Sequence, residues 1–379
     1  MSAIVTKKVL FIINDLRMGG AQRVLSIVMR ELVRSGYTVS LVTNHSDATD
    51  FYITGDNVTR FSTGISTPSR NIAQAVNSNL KRIKTIRSVI TEESPDAVFS
   101  FMTETNILTI LASLFTGKRV IVSERSDPEK DKKSFIWQLL RKITYSKASI
   151  VTTNSKAALE YMKRFVRKEK LVYLPNPIDG CIELRTTHED AESESILLVV
   201  ARLHHAKGID ILIDAISLLK SRNRSYEVWI AGDGPEMESL MLQTKELDVE
   251  DSFRWLGRID DLIPLYKSAS LFILPSRREG MPNALLEAMS CGLPAIISNA
   301  SPGPLEYVVN GESGLVFESG SRNALADAID ELMCNEDKRQ RMGQKSTEIV
   351  KPYHITNILP QWEKVLFPRE SMSSRSVVN

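Results

Sequence analysis

The stretch Leu271–Ser298, LFILPSRREGMPNALLEAMSCGLPAIIS, restricts the fold more than any other part of the chain. An apolar run, Leu271–Leu274, stops at Pro275, and a polar loop, Ser276-Arg277-Arg278-Glu279-Gly280, follows it. Pro282 stands where a helix can begin, because the N–H it lacks is one the first helical turn leaves unbonded anyway. Gly292 and Pro294 stop that helix, and a second apolar run, Ala295–Ile297, completes a strand, a helix and a strand. Repeated, this unit builds a parallel sheet covered by helices. Open sheets of that kind take ligands at the carboxyl ends of their strands.

Two carboxylates flank the turn. Glu279 lies in the loop and Glu287 lies five residues past Pro282, roughly 7–8 Å of axial rise at about 1.5 Å per residue. The separation suits a ligand with hydroxyls at both ends and anionic groups between them, the anionic part near the positive helix start. It is equally compatible with a solvated loop acid and a helix-surface acid, which is what most glutamates are.

At 379 residues, with 42% hydrophobic and 25% charged residues, the chain suggests two domains, each able to bury its own core. Cys181, Cys291 and Cys334 are odd in number and scattered, which indicates neither a disulfide framework nor a zinc knuckle and points to a reducing, cytosolic setting. The run Val9–Ile13 is too short for a signal-peptide core, and no stretch approaches the roughly 18 apolar residues of a membrane span. The formal net charge of +2 conceals an asymmetry: residues 1–175 carry 27 Lys+Arg against 15 Asp+Glu, and the remainder 21 against 31. The first half should meet an anionic surface or substrate.

In chain order, Lys8–Asp15 reads as a buried strand with a polar end, and the turn through Gly19 and Gly20 leads into a helix from Ala21 to about Arg34. The turn is not G-x-G-x-x-G, and no acidic residue stands at the spacing for a ribose, which argues against a nicotinamide dehydrogenase. Tyr37–Thr43 is a strand, 44–69 is loop-rich, and Ile72–Ile90 is a helix. Asp96–Phe101 and the strand from Arg119 end in the polar tails Met102–Asn106 and Ser123–Asp127, which could line a cleft or be plain turns. Between Lys130 and Lys147, Phe135, Ile136, Leu139, Leu140 and Ile143 recur at helical spacing beside Trp137, with lysines and Arg141 on the flanks. A second basic helix is expected over Lys156–Lys170. Several such cations at about 1 kcal/mol each can hold an enzyme at an anionic leaflet, although a core-facing helix with a solvated basic back has the same pattern. Val172–Pro177 closes the first half with turn-forming residues.

A new strand begins after Ser195 and ends at Arg202, and a helix starts after Gly208. Arg202 and Lys207 thus flank a strand-to-helix turn, where two cations and free helix N–H groups could neutralise a diphosphate, or where both are merely solvated. The histidines are dispersed, and adjacent His204-His205 is not a helical metal pair, so no metal site is expected.

Seven short segments together resemble a known family: Gly19-Gly20-Ala21-Gln22-Arg23, Leu174-Pro175-Asn176-Pro177, Ala201-Arg202-Leu203 with Lys207-Gly208, Ala231-Gly232-Asp233-Gly234-Pro235, Leu256-Gly257-Arg258, Glu279-Gly280-Met281-Pro282-Asn283, and Gly303-Pro304-Leu305-Glu306. In this order, with Glu279 and Glu287 in an E-x7-E pattern, they are similar to the retaining glycosyltransferases of family 4, glycosyl transferases group 1. Members that assemble lipid-linked oligosaccharides, O-antigens or capsules are the ones it resembles. The resemblance implies an α/β GT-B fold of two Rossmann-like doubly wound parallel-sheet domains facing a cleft. The boundaries expected are an acceptor-binding domain over 1–178, a linker over 179–194, a donor-binding domain over 195–352, a helix over 353–367 crossing back to the first domain, and a loose tail over 368–379.

In family terms the second domain holds a nucleotide-diphosphate sugar, UDP-linked, with no metal. Arg202 and Lys207 would grip the diphosphate and offset charge on the leaving nucleotide. Glu279 would face the donor sugar, Glu287 would take the ribose hydroxyls, and Gly280, Met281, Pro282 and Asn283 would line the donor beside Gly19 and Gly20. Many relatives carry a histidine near the sugar where this chain has Arg125, which cannot serve as a base at ordinary pH. Arg125 would contact a phosphate or position the acceptor. The implied protein is a hexosyl- or N-acetylhexosaminyltransferase in the cytoplasm, peripheral on the inner membrane through its basic first domain. Its acceptor would be a polyprenyl-diphosphate saccharide or related glycan, and it would have no nucleic-acid partner. A soluble transferase on a small acceptor, a nucleotide-sugar epimerase and a catalytically silent nucleotide-sugar-binding subunit remain open.

Overall fold

A computed structural model of the chain describes all residues except 1–5, 18, 46–49, 53–54, 56, 66–70, 126–133, 180–195 and 369–379. Most of the expected linker and nearly all of the expected tail lie outside the described residues. The chain forms two compact units, residues 1–177 with 355–379 and residues 178–354.

Unit 1 runs β1 (Lys8–Ile12), α1 (Gly20–Arg34), β2 (Thr38–Thr43), β3 (Val58–Ser62), α2 (Ile72–Glu93), β4 (Ala97–Phe101) and α3 (Thr103–Ser113). It continues with β5 (Arg119–Glu124), α4 (Phe135–Thr144), β6 (Ile150–Thr153), α5 (Lys156–Met162) and β7 (Leu171–Tyr173). The strands form one parallel sheet in the order β3-β2-β1-β4-β5-β6-β7. Leu10, Ile12 and Val98 face α2 and α3, while alternate residues Phe11, Phe99 and Phe101 form a ring cluster on the other face.

Unit 2 runs β8 (Ile196–Val200), α6 (Ile209–Ser221), β9 (Glu227–Ala231), α7 (Met237–Glu246), β10 (Phe253–Gly257), α8 (Ile263–Ser268) and β11 (Leu271–Leu274). After these come α9 (Asn283–Ser290), β12 (Ala295–Ser298), α10 (Pro302–Leu305), β13 (Gly314–Phe317), α11 (Arg322–Met333) and α12 (Glu336–Val350). Its parallel sheet has the order β10-β9-β8-β11-β12-β13. Leu197, Val199, Leu271 and Ile273 pack on α6 and α11; Ile196, Leu198, Phe272 and Leu274 pack on α8 and α9. A sheet buried on both faces explains why these strands read as unbroken apolar runs. The last helix, α13 (Ile355–Leu366), belongs to unit 1, where buried Trp362 packs against Phe99 and Phe101 at 4.9 and 6.3 Å between centroids.

Four elements differ from the sequence reading. The loop-rich stretch contains β3, an edge strand too short and too exposed for its pattern to stand out. The tail after β4 is the polar first turn of α3, which begins at Thr103 behind Met102 at φ +75°. The stretch Leu171–Tyr173 is a strand rather than a turn, and the helix from Lys156 ends at Met162.

Candidate active site

In unit 2 the strand order reverses between β8 and β11, the point at which a doubly wound sheet opens a crevice beyond its carboxyl ends. The loops after these strands are clamped together. The backbone N–H groups of Arg277 and Arg278 donate to Ala206 O at 2.9 and 3.3 Å. The Arg277 guanidinium donates twice to the Asp210 carboxylate, at 2.7 and 2.6 Å. Burial pulls the Asp210 carboxyl upward, but these bonds and the Arg277 charge hold it net below its usual value. Gly208 sits at φ +67°, and a Cβ there would run into the carbonyl oxygen of Pro275, so the backbones touch only because no side chain intervenes. Gly303 approaches Gly280 O in the same way, and the Ser301 hydroxyl accepts from Glu279 N at 3.0 Å.

This clamp fixes the two acids. Glu279 accepts from Lys207 Nζ at 2.5 Å and from Ser276 Oγ at 2.7 Å, with its side chain 9% exposed. An ammonium has three donors, so Lys207 can hold Glu279 and still reach an anionic ligand. Glu287 is no helix-surface acid: it is 4% exposed and accepts from the hydroxyl of buried Tyr266 at 3.0 Å. Arg202, in the loop after β8, is exposed and has no hydrogen-bond or ion-pair partner among the described residues. Bonds from Leu203 N to Asp233 O (3.0 Å) and from Glu236 N to Leu203 O (3.2 Å) tie this loop to the one after β9. Pro282 occupies the cap position of α9, so the helix begins one residue later than the sequence reading placed it, and Gly280, Met281 and Asn283 complete its entry. The first-turn N–H groups there have no acceptor within the helix, and helix geometry gives that end a partial positive charge.

Gly19, Gly20 and Arg125 belong to unit 1. Gly19 caps α1 with an extended backbone that any residue adopts, and a Cβ there would meet only the flexible Gln22 side chain. Gly20 is the first residue of α1. Arg125 follows β5; its Nε donates to Ser123 Oγ at 2.7 Å, its Nη1 donates to Asn176, and its Nη2 is buried without a hydrogen-bond partner among the described residues. The guanidinium lies over Phe101 and Trp362, 5.2 and 5.4 Å from their centroids. Glu124, the adjacent acid, turns instead to Thr103 (3.1 Å), Tyr145 (3.1 Å) and Arg141 (3.7 Å). Burial pushes the Arg125 guanidinium down from its ordinary value to about 9.

The supporting residues Tyr266, Ser276, Ser301, Asp210, Arg277 and Trp362 carry no sequence signal of their own; Asn176 sat within the Leu174–Pro177 match without an assigned role. Among the described residues no cluster of His, Cys, Asp or Glu suited to a metal ion occurs.

Two doubly wound parallel sheets, one with an acid pair and a basic strand-to-helix turn at its switch point, define a GT-B glycosyltransferase architecture. Two family models cover most of the chain: Glycosyltransferase Family 4 over residues 18–180 and Glycosyl transferases group 1 over residues 182–349. The chain belongs to this glycosyltransferase family and is a transferase. It is 27% identical over 367 residues, 95% of this chain and 98% of the other, to the GalNAc-alpha-(1->4)-GalNAc-alpha-(1->3)-diNAcBac-PP-undecaprenol alpha-1,4-N-acetyl-D-galactosaminyltransferase of Campylobacter jejuni. Among solved structures, sucrose-phosphate synthase from Thermosynechococcus elongatus shares the fold with a TM-score of 0.79 at 18% identity, over 95% of this chain and 98% of that one. Anabaena HepE in complex with UDP shares it with a TM-score of 0.76 at 20% identity, over 95% and 99%.

Proposed function

We propose that the protein transfers a hexose or N-acetylhexosamine, with retention, from a UDP-sugar to a polyprenyl-diphosphate saccharide or related glycolipid at an anionic membrane surface. The observation that carries the reading is the Lys207–Glu279–Ser276 contact at the unit 2 switch point, locked by Arg277 and Asp210, with Glu287 buried on the helix behind it. Arg202 and Lys207 take the diphosphate, and the start of α9 adds oriented N–H groups. Glu287 accepts from the ribose hydroxyls, and Glu279 stabilises positive charge on the donor sugar. The bond from the anomeric carbon to the diphosphate oxygen breaks, the acceptor hydroxyl attacks from the same face, and its proton passes to the departing phosphate oxygen. UDP is bound by a protein of the same fold, and undecaprenol-linked substrates are named for the Campylobacter relative.

Membrane docking is supported by α4, where Phe135, Ile136, Leu139 and Ile143 are 78, 66, 47 and 52% exposed on one stripe, while Trp137 and Leu140 turn inward. An apolar stripe facing water beside Lys142 and Lys147 is unlike a core-facing helix and suits an interfacial one. No helix among the described residues is long and apolar enough to cross a membrane.

Calorimetry with UDP and a donor-hydrolysis assay test this reading. Glu279→Gln should lower turnover by about 100- to 1,000-fold while leaving UDP affinity within about threefold. Absence of UDP binding by the intact chain, or unchanged turnover in the variant, overturns it.

A further inference from the structure

Glu279 is held by two donors that differ in what else they can do. Lys207 Nζ and Ser276 Oγ both donate to Oε1, at 2.5 and 2.7 Å. Oε2 accepts from no described residue, and 9% of the side chain stays exposed. Lys207 is 27% exposed and carries three N–H donors on a flexible stem, so a diphosphate beside it would share it with Glu279. Ser276 has no such choice. It is 2% exposed, its hydroxyl has one proton, and that proton goes to Glu279.

The backbone around Ser276 is fixed from several sides. The Pro275 carbonyl before it lies against Gly208, so closely that a Cβ on Gly208 would strike the oxygen. The Ser276 carbonyl accepts from the hydroxyl of Ser298 at the end of β12, and Arg277 N donates to Ala206 O at 2.9 Å. Glu279 N in turn donates to Ser301 Oγ at 3.0 Å. The loop is thus pinned by the segments after β8 and β12, and the Ser276 hydroxyl spans it from within. Because these atoms are already ordered, the bond to Glu279 costs little further entropy.

We infer that Ser276 is a positioning residue for transfer: it keeps Glu279 Oε1 in place while Lys207 is shared with the diphosphate, and so presents the free Oε2 to the donor sugar. The inference rests on the transferase reading and deepens it, by assigning which oxygen of Glu279 meets the sugar and what holds it there. With the Ser276 hydroxyl removed, Lys207 is the one remaining donor to that carboxylate among the described residues. A diphosphate that draws on Lys207 then loosens Glu279 as well, so the geometry that stabilises charge is lost in the loaded site.

Initial rates of donor hydrolysis, with the UDP-linked forms of glucose, galactose and their N-acetylamino analogues, test the inference together with UDP calorimetry on the full chain. Ser276→Ala should lower kcat about 10- to 100-fold, the worth of one hydrogen bond to a charged group, while donor KM and UDP affinity stay within about threefold. In a Glu279→Ala background the same substitution should cost less than about threefold, because a residue that acts through Glu279 has nothing further to lose. A residue that merely shapes the loop would cost as much in both backgrounds. Ser276→Cys, close in shape but a weak donor, serves as a second variant should the first fail to fold, and should show the same fall in kcat without a change in KM. Unchanged kcat in the folded variant, an equal fall with and without the Glu279 carboxylate, or a loss of UDP affinity that matches the loss of kcat overturns the assignment. Absence of UDP binding or of donor hydrolysis in the wild-type chain would instead sink the transferase reading, so the two failures are distinguishable.

Discussion

The two units repeat one strand order but finish their carboxyl ends differently. In unit 2 the loops are closed on one another, with Gly208 against Pro275, Gly303 against Gly280, Arg277 on Asp210 and Lys207 on Glu279. In unit 1 the same end has a cavity, a buried guanidinium at Arg125 that has no carboxylate partner among the described residues, and a half-buried one at Arg82 whose Nε has no hydrogen-bond partner among them. The net charges run the opposite way from a simple expectation, since the acidic unit carries the proposed diphosphate site. What binds an anion is therefore local: two cations and a helix start at one switch point outweigh a distant excess of acids screened within about 8–10 Å. A rigid cradle suits a ligand part that never changes, and a separate cavity suits one that does.

The comparison breaks most sharply at its glycines. Gly208→Ala forces a side chain at positive φ into the Pro275 carbonyl, so the two loops must part. The expected result is a stability loss of about 1–3 kcal/mol and a fall of more than about 100-fold in UDP affinity. Gly19→Ala, with extended backbone and only Gln22 to displace, should leave stability within about 0.5 kcal/mol. Thermal melting and UDP calorimetry on both variants decide it; equal effects would mean that unit 2 is no more tightly closed than unit 1.

Arg125 sharpens the comparison through pH. Its folded-state value of about 9 lies below that of an unfolded arginine, so the folded chain holds fewer protons between those two values. Stability should therefore rise with pH across that window, while the positive charge is lost as pH passes upward through about 9. Transfer to the acceptor should decline on that limb, with donor hydrolysis unaffected. Arg125→Gln should transfer about tenfold more slowly below pH 9 and show no such limb. A wild-type limb that persists in the variant would assign it to another group.

How much of this was legible in the sequence follows from where each interaction is encoded. The fold was legible because strands buried on both faces write continuous apolar runs, as at Leu271–Leu274, and because Pro282 and Gly292 punctuate α9 within one residue. Lys207, Glu279 and Glu287 were legible as types at a spacing. Their burial was not, because Tyr266 reaches Glu287 across 21 positions and Ser301 reaches Glu279 across 22, separations that no local pattern records. Trp362 is more remote still, joining Arg125 from the far end of the chain. The cavity in unit 1 left no motif at all, since Asn14, Arg82, Glu104 and Trp137 come from four separate elements. The apolar residues of α4 were read at the right spacing, but periodicity says that a stripe exists and not whether core or solvent lies against it.

That stripe supplies the smallest effect and the finest distinction. If docking rests on charge alone, vesicles containing anionic lipid should release the protein as salt rises, because cation attraction is screened within a Debye length. If α4 also buries its apolar side, a fraction should stay bound at high salt. Phe135→Ser with Ile136→Ser would then reduce partitioning about fivefold there, while changing it little at low salt, where charge dominates. Both residues are exposed, so the double variant removes little folded-state packing and should melt within about 0.5 kcal/mol of wild type. Flotation of both proteins at two salt concentrations separates the possibilities. Complete release of the wild type by salt would leave the contrast between the units at their pockets alone, whereas salt-resistant binding lost in the double variant would extend it to their outer helices.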